Sequence, residues 1–152
     1  MTASQRVLKQ AMWVALGATA IIVTGCATVP KGQTVLNGAQ VVPPVDTKAE
    51  GRSDITVRKS KCAASSSDCP WVSGSVTVTG MVGTAAHIHQ GAVGQNGPVV
   101  LPLVKISDNT WQVPASTEIP EAAYANYLSG NYYIQVHSEK YPNGEIRGQL
   151  KP

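Results

Sequence analysis

From residue 34 onward, the chain is a series of short β-forming segments separated by residues that favour turns. Apolar and polar residues alternate in several of them, as at Ile55 and Val57 in "SDITVRKS". In "WVSGSVTVTGMV", the valines at 72, 76 and 78 are in phase. A period of two places apolar side chains on one face of a strand. Many short strands at regular spacing predict an all-β fold, an antiparallel β-sandwich or barrel.

One segment, "IPEAAYANYLSGN", departs from this pattern and predicts a short helix across the sandwich. Pro120 suits a helix start and Gly130 suits a stop. One face of this helix would carry Tyr124, Tyr127 and Leu128.

Two further features predict sheet edges and turns. The segment "PVVLPLVKI" is predicted as one strand, and Pro102 makes it an edge or bulged strand. Asn143-Gly144 suits a two-residue hairpin. It precedes "EIRGQL", a closing strand with Ile146 and Leu150 in phase.

The first 25 residues have the order of features of an export signal. Arg6 and Lys9 precede the apolar run "AMWVALGATAIIV", which is too short to span a bilayer comfortably. The run ends in Val23-Thr24-Gly25-Cys26, which resembles a bacterial lipobox. We therefore expect a signal peptide over residues 1–25, lipidation of Cys26, a short tether over 26–33 and one domain over 34–152.

The residues around Cys26 also predict a location. Residue 27 is Ala rather than Asp, which by resemblance to enterobacterial sorting rules favours the outer membrane, facing the periplasm. The seven residues of "ATVPKGQ" reach at most about 23 Å when extended. The domain would therefore lie close to the membrane. The membrane is the predicted partner, and the lipid anchor makes the contact.

Charge argues against nucleic acid as a partner. The chain has 12 basic and 9 acidic residues. Removal of Arg6 and Lys9 with the signal would leave a net charge of about +1, and no basic patch has interleaved aromatic residues. The turn "GAVGQNG" lacks the Lys-Ser/Thr of a phosphate-binding loop, and no Gly-x-Ser-x-Gly elbow of a serine hydrolase occurs.

The cysteine count agrees with export. If Cys26 carries a lipid, Cys62 and Cys69 remain, on either side of the polar loop "AASSSD". A disulfide between them would join two neighbouring strands as a hairpin and stabilise the fold by roughly 2–3 kcal/mol. The alternative is two free thiols in a flexible loop.

The three histidines are the strongest candidates for chemistry. His87 and His89 are two residues apart on a predicted strand, so they share a face, with Ile88 toward the core. His137 also points away from the apolar side of its strand. If strands 84–90 and 131–138 are neighbours, the three imidazoles can converge, and neutral imidazoles suit copper or zinc.

Two charged residues lie on the same side of the predicted sheet as these histidines. Glu145 and Arg147 alternate with Ile146, and one of them could hydrogen-bond a ligand imidazole and set its tautomer. The alternative is a metal-free cluster in which His bonds Glu145, Arg147 bonds a backbone carbonyl, and both brace the end of the sandwich.

Three stretches are similar to the CHRD domain, named after repeats in chordin. They are "LNGAQVVPPVDTKAEGRSDITV", "AHIHQGAVGQNGPVVLPL" and "LSGNYYIQVHSEKYPNGEIRGQL". The resemblance covers about residues 34–151, although many members have Glu in place of Gln40 and Thr in place of Ser138. It implies an antiparallel β-sandwich of immunoglobulin-like or Greek-key type, often secreted or surface-attached. In chordin the repeats belong to a protein that binds growth factors.

These observations favour a non-enzymatic lipoprotein that binds copper, in preference to zinc, through His87, His89 and His137. One alternative is a metal-free module that binds an envelope protein, with Tyr124, Tyr127, Tyr132 and Tyr133 as aromatic contacts or core residues. The other is a copper-dependent redox enzyme, by analogy with the His-x-His ligands of copper/zinc superoxide dismutases. Met81 is either a soft Cu(I) ligand or a core residue.

Overall fold

The computed structural model describes residues 32–62 and 64–152, a part of the chain built of antiparallel strands and one helix. The strands in chain order are β1 (Thr34–Asn37), β2 (Glu50–Ser53), β3 (Thr56–Lys61), β4 (Asp68–Ser73), β5 (Ser75–Thr79), β6 (Gly83–Gln90), β7 (Val99–Pro102), β8 (Val104–Ser107), β9 (Thr110–Gln112), β10 (Thr117–Glu118), β11 (Tyr132–Ser138) and β12 (Ile146–Gln149). Helix α1 (Glu121–Leu128) lies between β10 and β11. The predicted signal peptide and the lipidation of Cys26 lie outside the described residues.

The described strands form two sheets. The larger has the order β7-β6-β11-β12-β1-β2-β5-β9-β8, and the smaller has the order β10-β4-β3. The first strand, β1, pairs with the last, β12, with Asn37 opposite Arg147. The prediction of an all-β, antiparallel, sandwich-like fold with one short helix is confirmed.

The larger sheet nearly closes on itself. Its edge strands, β7 and β8, are consecutive in the sequence and only Leu103 separates them, so the predicted single strand over "PVVLPLVKI" is wrong. Pro102 ends β7, and the backbone N–H of Leu103 donates to the carbonyl of Ala86 at 3.0 Å. The prediction of an edge strand at Pro102 holds for β7, because a proline interrupts the ladder where no further strand has to pair.

The apolar residues that alternate with polar ones along the strands are buried in the core. Val76, Val78, Ile134 and Val136 are inaccessible to solvent, and Trp111 is the largest fully buried side chain. Ile55 and Val57 are buried as their alternation predicts, as are Ile146 and Leu150. Burial of each such side chain contributes about 1.5–3 kcal/mol relative to exposure.

Two turns differ from those that the sequence predicts. "WVSGSVTVTGMV" is divided between the two sheets at Gly74, whose φ of +117° ends β4 before β5 begins. A Cβ at Gly74 would lie 2.7 Å from the Cα of Ile55, so this crossing requires glycine. The predicted two-residue hairpin at Asn143-Gly144 is also wrong, because residues 139–145 connect β11 to β12.

Helix α1 begins and ends as predicted, with Pro120 at its N-cap and Gly130 in the left-handed conformation beyond its end. Tyr127 is buried, and its hydroxyl donates to the carbonyl of Lys151 at 3.2 Å. The common face predicted for Tyr124, Tyr127 and Leu128 is only partly used for packing, since Leu128 is 53% exposed. Within residues 32–62 and 64–152, no helix has the length and apolar character needed to cross a membrane.

The predicted disulfide is confirmed. Cys62 and Cys69 are bonded, with their Cα atoms 5.1 Å apart, at the end of the β3–β4 hairpin. This hairpin belongs to the smaller sheet, whereas the three histidines lie on the larger one.

Candidate metal centre

The three histidines lie on two adjacent strands of the larger sheet. β6 pairs antiparallel with β11, so that His87 is opposite Gln135 and His89 is opposite Tyr133. His137 lies two residues beyond Gln135, on the same face, and Ile88 points into the core opposite Ile134. The condition for convergence, that these two strands are neighbours, is met, and the three histidines share the sheet face opposite to Ile88.

This register brings the three imidazoles together. One ring nitrogen from each of His87, His89 and His137 lies within 4.8 Å of the others, close enough to hold one metal ion. The closest pair is Nδ1 of His87 and Nε2 of His137, which are 3.1 Å apart. His89 is buried, and the other two are partly exposed.

Backbone carbonyls set the orientation of two of the rings. Nδ1 of His89 donates to the carbonyl of Gly97 at 3.0 Å, and Nδ1 of His137 donates to the carbonyl of Pro142 at 2.9 Å. A neutral imidazole that donates from Nδ1 has its lone pair on Nε2. In both residues, Nε2 therefore carries the lone pair. Nε2 of His137 lies against Nδ1 of His87, whereas Nε2 of His89 has no such contact among the described residues.

Nε2 of His89 is a buried nitrogen with no hydrogen-bond partner in the described part of the chain. A buried polar atom without a partner costs about 1–3 kcal/mol, so it requires a specific explanation. A metal ion shared with His87 and His137 would supply the missing partner.

Burial also favours the neutral, metal-binding form of two imidazoles. Desolvation lowers the pKa of His87, and the nearby His137 and His89 lower it further. Desolvation likewise lowers the pKa of His89, although the bond to Gly97 opposes the shift, and His137 and Arg147 add to it. These two rings therefore keep their lone pairs at a lower pH than a free histidine does.

Glu145 is buried but bonds elsewhere. Its two carboxylate oxygens accept from the hydroxyls of Thr47 at 2.7 Å and Ser138 at 2.5 Å. The orienting hydrogen bonds of His89 and His137 go to Gly97 and Pro142 instead. Glu145 thus ties the end of β11 to the segment before β2, and the predicted bond to an imidazole is not formed.

Arg147 contacts the site through a tyrosine. Its guanidinium lies 3.5 Å above the ring of Tyr133, which in turn stacks on His89 with centroids 4.9 Å apart and an interplanar angle of 11°. Arg147 also donates to the carbonyls of Ala92 and Gln95, as the metal-free alternative predicts for this residue. The direct bond to an imidazole, the other role considered for Arg147, is not formed.

The sequence pattern does not predict the contacts of Tyr133 and Gly97 with this site. Tyr133 is predicted as an aromatic partner contact or a core residue, and in the structure its ring is buried against His89. A Cβ at Gly97 would overlap the carbonyl of Gln90, so only glycine allows this loop to reach His89. The density of glycines in "GAVGQNG", beside His-x-His, was the available signal for such a close approach.

The remaining candidates pack in the interior. Met81 packs against the apolar core, the second of its two predicted roles. Of the four tyrosines proposed as partner contacts, Tyr127, Tyr132 and Tyr133 are buried, and Tyr124 packs against the core. Aromatic recognition of a partner therefore has little support from these residues.

No curated protein and no solved structure matches this chain. A family model, that of the CHRD domain, matches residues 32–150. This range includes the strands that carry the three histidines, the 91–97 loop beside them and the disulfide-bonded hairpin. The chain therefore belongs to the CHRD domain family.

Proposed function

We propose that this CHRD domain binds a single transition-metal ion, copper in preference to zinc, through His87, His89 and His137. The observation that carries the proposal is the buried, unpartnered Nε2 of His89, which belongs to a cluster of three imidazoles. We further propose that the protein is non-enzymatic and is held at the bacterial outer membrane, facing the periplasm, by a lipid on Cys26. The lipobox-like sequence before Cys26 supports this location.

The hydrogen bonds indicate which atoms bind the metal. The carbonyls of Gly97 and Pro142 hold the Nδ1 protons of His89 and His137, which leaves Nε2 of each as a ligand. His87 would bind through Nδ1, the atom that lies 3.1 Å from Nε2 of His137. Without metal, Nδ1–H of His87 donates to His137, so metal binding requires His87 to carry its proton on Nε2 instead.

The donor set supports copper. Three neutral imidazoles suit both copper and zinc, and Cu²⁺ binds nitrogen ligands more tightly than the other divalent first-row ions do. Three protein ligands, two of them partly exposed, leave a coordination position for water or another small ligand.

Calorimetric titration of the full chain in detergent with Cu²⁺ and Zn²⁺ tests this proposal. We expect one equivalent of tight copper binding, weaker zinc binding, and loss of both in a His87→Ala, His89→Ala variant. Gln90→Ala is the matched control, because Gln90 lies on the same strand but on its opposite face. Equal metal uptake by the wild type and the double variant would contradict the proposal.

A metal-free interaction module is the second candidate. Val99, Val100, Val104 and Ile106 are exposed on the two edge strands β7 and β8, and exposed apolar residues on edge strands are ready contacts for another chain. In this case the bond between His87 and His137 would serve only to brace β6 against β11. Crosslinking in the cell envelope would then capture one partner that a Val104→Lys, Ile106→Lys variant fails to capture.

A further inference from the structure

The ring of His89 is the first of three planar groups stacked between the larger sheet and the 91–97 loop. The second is the ring of Tyr133, and the third is the guanidinium of Arg147, which is only 2% exposed. A buried guanidinium is costly unless its charge is compensated. The acceptors of Arg147 are the carbonyls of Ala92 and Gln95 and the side-chain oxygen of Gln149, none of which carries a charge.

The same residues hold the 91–97 loop, which is the segment that bonds His89. Arg147 donates to Gln95 at 2.9 Å and to Ala92 at 3.0 Å. The hydroxyl of Tyr133 accepts from the backbone N–H of Gly97 at 3.1 Å. The carbonyl of Gly97 accepts from Nδ1 of His89. Arg147 is therefore linked to His89 by two routes. One is the stack through the ring of Tyr133, and the other is the chain of hydrogen bonds through the 91–97 loop.

We propose that Arg147 is a positioning residue for the metal site. The stack sets the plane of the His89 ring, and the Gly97 carbonyl sets its tautomer, so that Nε2 is the unprotonated atom in the histidine cluster. A metal ligand that is held by such supporting contacts binds more tightly than one that has to be ordered on binding. This inference rests on the proposed metal binding, and it assigns a function to a buried cation that packing alone would not require.

Three substitutions in the full chain disturb the stack and the loop contacts to different extents. Arg147→Met removes the charge and the hydrogen bonds but keeps an apolar side chain over the ring. Arg147→Lys keeps the charge but loses the planar stack and the paired donors. Tyr133→Phe keeps the stack and loses only the hydroxyl that holds Gly97. The two milder variants provide the test if Arg147→Met does not fold.

Val78→Ala is the control for a loss of stability alone. Val78 is inaccessible to solvent on β5, four strands from β11 in the larger sheet, so its truncation destabilises the fold without touching the 91–97 loop. We expect the copper affinity of this control to stay within about twofold of the wild-type value, because well-separated sites affect each other little.

The measurements are copper affinity, the Cu²⁺ electron paramagnetic resonance spectrum and the ¹⁵N shifts of His89 without metal. We expect Arg147→Met to bind copper about 10- to 100-fold more weakly, the usual effect of losing a ligand's supporting contact. We also expect an altered spectrum and a mixture of His89 tautomers. Arg147→Lys and Tyr133→Phe should show smaller changes of the same kind.

Two results would overturn the inference. One is wild-type copper affinity and an unchanged spectrum in Arg147→Met and Arg147→Lys. The other is a single Nδ1-protonated tautomer of His89 that persists in both variants. If the wild-type chain itself takes up no copper, the proposed function fails, and the tautomer measurement still decides whether Arg147 positions His89.

Discussion

Nδ1 of His87 lies 3.1 Å from Nε2 of His137, although the two residues are 50 positions apart in the chain. Because the carbonyl of Pro142 accepts from Nδ1 of His137, Nε2 of His137 accepts from Nδ1–H of His87 when both imidazoles are neutral. If both rings carried two protons, two N–H groups would oppose each other. The contact therefore disfavours full protonation of the histidine cluster.

Acid should destabilise the metal-free domain. The pKa values of His87 and His89 are lowered in the folded state, so between the lowered values and about 6.5 the unfolded chain binds more protons than the folded one. The contribution of these residues is fully present above about pH 6.5 and is lost as the pH falls through their folded pKa values. We expect urea unfolding midpoints to drop between pH 7 and pH 5.

A His87→Gln, His89→Gln variant provides the comparison for that measurement. Its glutamines are polar but do not titrate. The drop in the urea unfolding midpoint between pH 7 and pH 5 should therefore be smaller than in the wild type. An identical pH dependence in both proteins would show that carboxylates, and not the cluster, cause the acid sensitivity.

Gly97→Ala should damage both the fold and the site. The new Cβ would overlap the carbonyl of Gln90, so the loop has to move away from His89. We expect unfolding free energy to fall by about 2–4 kcal/mol, in the upper range for single substitutions, and copper affinity to fall with it. Denaturant unfolding and calorimetric titration measure the two effects.

Gly94→Ala is the matched control in the same loop. Gly94 has a positive φ, of +77°, and nothing lies within 4 Å of the position of its Cβ. Its substitution should cost only the backbone strain of about 1 kcal/mol and should spare the metal site. Equal effects of the two substitutions would mean that close packing at Gly97 does not orient His89.

Removal of the disulfide should lower stability and leave metal binding unchanged. The Cys62–Cys69 bond closes a short loop in the β3–β4 hairpin, which lies in the smaller sheet. A Cys62→Ser, Cys69→Ser variant should lose roughly 2–3 kcal/mol of unfolding free energy. Under conditions in which this variant is folded, its copper affinity should match that of the wild type. Weaker copper binding would show that the two sheets are coupled.

Lipid attachment at Cys26 can be tested in cells. Labelled palmitate should be incorporated into the wild-type protein and not into a Cys26→Ala variant, and the variant should lose its membrane fraction. Cys62→Ser, Cys69→Ser is the control for labelling of other thiols. Incorporation into Cys26→Ala would contradict the lipoprotein proposal.

Most of the fold could be predicted from local patterns because strand alternation and helix caps are local. Ile55 with Val57, and Pro120 with Gly130, are read correctly on these grounds. Strand β2 could not be found in this way. Its inward residues are Gly51 and Ser53, which carry no apolar signal, and it forms because β1 and β5 pair with its two sides.

The sequence pattern could predict that the three histidines come together, but not the contacts that support them. His87 and His89 share a face by strand periodicity, and His137 joins them once β6 and β11 are neighbours. The bonds from Gly97 and Pro142 depend on loop conformation, which no periodicity describes. The stack of Arg147 on Tyr133 arises because the 91–97 loop covers a sheet face that alternation alone assigns to solvent.

The pairing of β1 with β12 has a consequence for how the chain is made. The larger sheet has its first and last strands as neighbours, with Asn37 opposite Arg147. A polypeptide that is made with its N-terminus first cannot complete this sheet until residues 146–149 have been made. Such long-range pairing slows folding. The histidine cluster also forms late, because it needs His137 on β11 beside β6.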